Sequence, residues 1–194
     1  MEVKEPVLKY YPQMSADEYL DWERMQEYKN EFPSGEIVAV SGASISHNLI
    51  NSNLLAETGI FLKGKSCKIF GSDLRAEVSA KESYFYPDIT IVCGELKIAG
   101  DKDDMINNPA VIIEILSPST EKYDAKRKKF FYMQMHSLQE YIMIDSTNVL
   151  IDLVRRKKDN TWENELIINK DSSLTIQTIN LTIPLSEIYR DVKF

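Results

Sequence analysis

Cysteine is nearly absent: the 194 residues contain two, Cys67 and Cys93, and neither sits in a CxxC pair. A zinc ribbon or a disulfide framework is therefore not expected, and both residues read as inert core or strand positions suited to a reducing cytosol. No window approaches the ~20 consecutive apolar residues that a membrane helix requires. The first thirty residues contain no uninterrupted apolar segment of the kind that marks a signal peptide, so a soluble, cytoplasmic protein is expected. Internal repeats, low-complexity tracts and Pro/Gly-rich linkers are also missing, which leaves one domain over 1–194 as the expectation. Basic charge is in short supply too. Lysine and arginine number 23 against 30 aspartates and glutamates, a net charge of −7. Most nucleic-acid binders present a basic face that exchanges counterions for phosphates, so the total argues against tight, sequence-independent DNA binding. An acidic total is compatible with a site that gathers carboxylates around a cation.

What is present is an ordinary globular composition, 43% hydrophobic and 27% charged, long enough to bury a substantial core. Residues 1–14, with Pro6 and Pro12, read as an extended arm. Ser15-Ala16-Asp17-Glu18 has the form of a capping box and predicts a helix running to about Lys29. Apolar positions from Leu49 to Phe61 recur at helical spacing, which predicts a second helix over 46–63 ended by Gly64. Strands are expected at 36–41, 67–70, 74–78, 89–93, 111–116, 141–144, 149–154, 162–168, 174–179 and 181–183. A helix over about 121–135 and a short one near 185–189 complete the pattern. Helices mixed among mostly short strands indicate an α/β or α+β fold.

Three features carry chemistry. Tyr86-Pro87-Asp88 places an aspartate at the mouth of the apolar strand 89–93. Glu114 stands inside Val111-Ile112-Ile113-Glu114-Ile115-Leu116, a run expected to be buried on both faces. After it, Asp124, Lys128 and Tyr132 recur every four residues and so share a helix face. Glu114 is the most informative, because an ionised carboxylate taken out of water costs several kcal/mol unless a cation or a hydrogen-bond network compensates it. A divalent metal is one such partner, and carboxylate oxygens suit Mg²⁺ or Mn²⁺. A structural ion pair with lysine or arginine is the rival. Lys128 likewise has a plainer reading, since Lys126-Arg127-Lys128-Lys129 is the sort of run that usually decorates a solvated helix. Arg155-Arg156-Lys157-Lys158 is expected to decorate a hairpin turn.

The ordered set Tyr86-Pro87-Asp88, Ile113 to Thr120, Asp124, Lys128, Tyr132 and Glu140-Tyr141-Ile142-Met143-Ile144-Asp145 resembles the Uma-two family, over roughly residues 15–155. Glu31, Gly35 to Val38, Gly42-Ala43-Ser44 and His47 agree with the opening of that family. The resemblance implies a restriction-endonuclease-like, PD-(D/E)xK core: a mixed α/β sheet with flanking helices and extra C-terminal strands. It implies Asp88 and Glu114 as ligands of Mg²⁺ or Mn²⁺ and Lys128 as the catalytic lysine, moved onto the helix from the strand position that Leu116 occupies here. Glu31, His47, Asp124 and Tyr132 are possible additional members. The implied activity is metal-dependent phosphodiester hydrolysis, with DNA as the substrate. A homodimer or higher homo-oligomer is expected on separate grounds, since two cuts in a duplex need two sites and small nuclease folds often pair by C₂ symmetry. The alternative is a catalytically inactive binding or assembly module that keeps the nuclease fold.

Overall fold

The computed structural model describes residues 13–78, 82–117 and 123–194, with backbone alone at 123–125. Most of the expected N-terminal arm, and the expected Ser117–Thr120 turn beyond Ser117, lie outside these residues. Helix α1, Ala16–Glu23, begins as expected: Ser15 accepts from the Glu18 amide and the Glu18 carboxylate bonds back to the Ser15 amide. It stops well short of Lys29, because the Glu23 side chain turns to bind the Asn30 amide instead of facing solvent. The two-residue strands β1 (Asn30–Glu31) and β2 (Val38–Ala39) pair antiparallel. Helix α2, Ile45–Leu62, is capped by Ser44 and is followed by Gly64 at φ +77°, a left-handed conformation that glycine adopts without strain.

Strands β3 (Cys67–Gly71), β4 (Arg75–Val78), β5 (Ser83–Phe85), β6 (Ile89–Cys93), β7 (Met105–Ile106) and β8 (Val111–Leu116) follow. The segment between β8 and the next strand is a π-helical turn, Tyr123–Lys128, running into the short helix α3, Lys129–Tyr132. Beyond it come β9 (Glu140–Asp145), β10 (Ile151–Arg156), β11 (Trp162–Ile167), β12 (Ser173–Ile176), β13 (Leu181–Pro184) and helix α4, Leu185–Ile188. The central sheet has the order β11-β10-β9-β8-β6-β3. Among the described residues, β8 and β9 are the one parallel pair of this sheet, and a parallel pair needs a crossover, to which the π turn and α3 belong.

Alternation along β8 divides the core. Val111, Ile113 and Ile115 join the cluster under α2, α4 and the β12–β13 hairpin, whereas Ile112 and Leu116 join Phe131, Tyr132 and Tyr141 on the crossover face. Glu114 lies between Ile112 and Leu116 and so belongs to the crossover face as well. A third cluster around Tyr19, Phe32 and Tyr84 packs α1 against β5, with the Tyr19 and Phe32 rings stacked at 4.5 Å.

One expectation is overturned. Cys67 and Cys93 are not inert: they face each other across β3 and β6 and are joined as a disulfide. Direct cross-strand neighbours bring their Cβ atoms close, and that placement is visible only once the strand register is known. Cysteine usage therefore no longer argues for a reducing compartment. Among the described residues, no helix is long and apolar enough to cross a membrane.

Candidate functional site

The site is assembled where β6 meets β8. Their ladder pairs Ile89 with Ile113, so one step further along Asp88 stands at the level of Glu114. Asp88 is fixed there by two donors on one oxygen. The Ile115 amide donates to Oδ2 at 2.7 Å, and His47 Nε2 lies 3.1 Å from the same atom. His47 occupies the first turn of α2, where the Ser44 hydroxyl caps its amide, so the helix start brings the imidazole to the strand mouth.

Glu114 is only 2% exposed, and its compensation comes from the crossover. Tyr132 donates its hydroxyl to Oε1 at 2.9 Å, and Lys128 Nζ lies 3.2 Å from the same oxygen. Lys128 is buried too, and its ammonium is 2.9 Å from Glu31 Oε1. Glu31 also accepts from the Tyr86 amide at 3.1 Å, which links it to the loop that carries Asp88. Burial, reinforced by the Glu114 and Glu31 carboxylates, holds the Tyr132 hydroxyl well above the usual tyrosine range. It therefore remains a hydrogen-bond donor at any ordinary pH.

Of the residues expected from sequence, Asp88 meets His47, and Glu114, Lys128, Glu31 and Tyr132 form a second group; the Tyr86 amide on Glu31 and the register that sets Asp88 level with Glu114 connect the two. Asp124 lies in the π turn, and its side chain is outside the described residues. The expected four-residue periodicity is locally broken there, because a π turn has more than four residues per revolution. Lys128 and Tyr132 nevertheless reach one carboxylate oxygen. The neighbours of Lys128 point elsewhere: Lys126 is exposed, and Lys129 bonds Asn164 on β11. The basic run at 155–158 behaves as framework. Arg155 pairs with Glu140, and Arg156 holds the Met135 and Leu138 carbonyls, leaving Lys157 and Lys158 exposed in the turn.

Sequence reasoning missed a second buried array beside the first. Tyr86 donates its hydroxyl to Glu23 Oε1 at 3.2 Å and accepts from Arg75 Nε and Nη2 at 3.0 and 2.8 Å. Its position just before Pro87-Asp88 was the only available signal. Glu23 and Arg75 lie too far away along the chain to be marked by spacing.

The donor set was tested against a divalent cation. Carboxylate oxygens with a nearby imidazole and no thiolate suit a hard ion such as Mg²⁺ or Mn²⁺, which is usually held by one or two carboxylates and keeps several waters. Among the described residues, no group of three or more His, Cys, Asp and Glu is gathered closely enough to cage an ion. A donor set of this kind would suit a hydrated ion rather than a dedicated protein cage.

Comparison with known proteins agrees with this architecture. The Uma2 family model, described as "Putative restriction endonuclease", matches residues 16–186. The uncharacterized protein slr1290 of Synechocystis sp. is 34% identical over 186 residues, covering 95% of each chain. A second uncharacterized Synechocystis protein, sll1609, is 34% identical over 149 residues, covering 77% of this chain and 84% of its own. The crystal structure of a protein from Anabaena variabilis, titled a putative nuclease belonging to DUF820, superposes with a TM-score of 0.74 at 19% identity. That superposition covers 91% of this chain and 97% of the other. The mixed α/β fold is therefore shared with that protein.

Proposed function

Since the chain belongs to the Uma2 family, we propose that it is a metal-dependent phosphodiesterase, an endonuclease that hydrolyses DNA. The observation that carries this reading is the juxtaposition of Asp88, at the level of Glu114, with a lysine seated on that glutamate. A Mg²⁺ or Mn²⁺ ion held by Asp88 and Glu114 with its waters would acidify a bound water and neutralise charge on the phosphoryl oxygens. The chain's own groups have separate duties. The Ile115 amide and His47 orient Asp88 by engaging its Oδ2. Tyr132 aligns Glu114 by donating its hydroxyl to Oε1. The Lys128 ammonium, a compact charge on a flexible stem, orients the attacking water and stabilises the charge that builds up in the transition state. A homodimer accompanies this reading, because cutting both strands of a duplex needs two sites.

One observation favours a second reading, a non-catalytic module on the nuclease fold. Lys128 lies between Glu31 and Glu114, and a buried lysine–carboxylate bridge satisfies the glutamate without any metal. A plasmid-nicking assay with Mn²⁺ separates the two. The endonuclease reading expects nicking by the wild-type protein that Asp88→Asn abolishes. No nicking by the wild type, or equal nicking by both proteins, removes it.

A further inference from the structure

The second buried array has no duty in the chemistry just described, and its energetics are unfavourable for a purely structural device. Glu23 is the last residue of α1 and is only 5% exposed. A carboxylate at a helix C-terminus meets the negative end of the helix dipole, and its burial costs several kcal/mol before any compensation. Its contacts all lead to the neighbours of site residues. Oε1 accepts from the Asn30 amide at 2.8 Å and Oε2 from the Asn30 side chain at 3.0 Å, immediately before Glu31. Oε1 also accepts the Tyr86 hydroxyl, two residues before Asp88. Arg75, 4% exposed, holds that hydroxyl from the other side with two nitrogens. Its Nη1 has no hydrogen-bond partner and lies 4.0 Å from Asp104. Asp104 is itself gripped by Arg24 at 2.9 Å.

We propose that Glu23 and Tyr86 are positioning residues: one buried carboxylate, bonded to the chain beside Glu31 and beside Asp88, sets the separation of those two acids. Arg75 locks the Tyr86 ring so that the link is rigid on both sides. The consequence for Lys128 is direct. Its ammonium sits between Glu31 and Glu114, so a shift of β1 relative to the Tyr86–Asp88 loop moves the lysine away from its place over Glu114. This inference rests on the endonuclease reading for its meaning in catalysis, but its geometric content stands apart from it.

The test compares Tyr86→Phe and Glu23→Gln with Tyr189→Phe. Tyr189 is likewise buried and bonds the Leu150 backbone just before β10 through its hydroxyl, with β9 standing between β10 and β8 in the sheet order. All are assayed at a temperature where urea curves show each one folded. Small misplacements of reacting groups cost up to about 100-fold. Tyr86→Phe is therefore expected to lower kcat for Mn²⁺-dependent nicking by about 10- to 100-fold, with KM for DNA changed by no more than about twofold. Tyr189→Phe is expected to leave both unchanged. In ¹⁵N-labelled protein, the Lys128 ε-ammonium resonance is expected to move in Tyr86→Phe and to stay in place in Tyr189→Phe. Equal behaviour of the two variants in both readouts overturns the proposal. If the wild type does not nick DNA, the endonuclease reading fails, and the ammonium resonance alone decides whether the array positions the lysine. If Tyr86→Phe does not fold, Glu23→Gln, which keeps size and one acceptor, undergoes the same comparison.

Discussion

Replacing Lys128 by methionine keeps the length of the side chain and removes its charge. The Lys128 side chain is 8% exposed, and its ammonium lies 2.9 Å from Glu31 and 3.2 Å from Glu114, whose side chains are 2% and 3% exposed. Without it, two buried carboxylates share one space, where the Tyr132 hydroxyl donates to Glu114 and the Tyr86 amide to Glu31. Removing one partner of a buried ion pair typically costs about 3–5 kcal/mol. With a urea slope of roughly 2 kcal/mol per M, the unfolding midpoint of Lys128→Met falls by about 1.5–2.5 M. Lys129→Met, one residue along and bonded to an exposed asparagine, is expected to stay within about 0.5 kcal/mol of wild type. The double variant Lys128→Met/Glu114→Gln is expected to lose less than the sum of its single variants, because the glutamine removes one of the two stranded charges. The assay is urea denaturation followed by circular dichroism. If Lys128→Met unfolds at the same midpoint as Lys129→Met, the lysine is not the buried counterion of Glu114 and the reasoning fails.

Two further outcomes follow from the framework. The Cys67–Cys93 bridge spans 26 positions, and loop-closure entropy for that length amounts to about 3.5 kcal/mol in the chain-entropy account; reduction by a dithiol is expected to lower the thermal midpoint, and two free thiols titrating in the unfolded, unreduced protein would contradict the bridge. Arg24, hydrogen-bonded to Asp104, holds that carboxyl below the usual aspartate range. A depressed carboxylate stabilises the fold above its unfolded-state value, near pH 4, and loses that contribution as pH falls through the lower folded value. The stability gap between wild type and Asp104→Asn should therefore be constant near neutrality and close in acid; a gap that persists in acid refutes this assignment.

The parts of this fold that could be read from sequence were those dictated by local pattern. The β8 run had aliphatics on both sides of one acid, and it is a central strand buried on both faces. The capping box at Ser15 announced where α1 starts, but nothing local announced where it stops, since Glu23 is drawn inward by Asn30 and Tyr86. Strand β5, three residues long, and the two-residue strands β1 and β7 are too short to show a period. The helix expected over 121–135 is, where described, a π turn and one short α turn, a change of pitch that composition does not encode. At the site, Asp88, Glu114 and Lys128 could be named from order and resemblance, whereas the partner of each depends on long-range packing. Glu31 reaches Lys128 only because β1 folds against β5 through the Phe32–Tyr84 bridge. The disulfide, similarly, follows from the β3–β6 register, which neither cysteine signals in its own surroundings.

The central claim is that Asp88 and Glu114 together hold a divalent cation. Calorimetric titration of Mn²⁺ into the wild-type protein and into Asp88→Asn and Glu114→Gln tests it without assuming any substrate. One site is expected on the wild type, with at least about a tenfold loss of affinity in each variant, roughly 1.4 kcal/mol. Equal Mn²⁺ affinity in all three proteins, or no binding by the wild type, would contradict it.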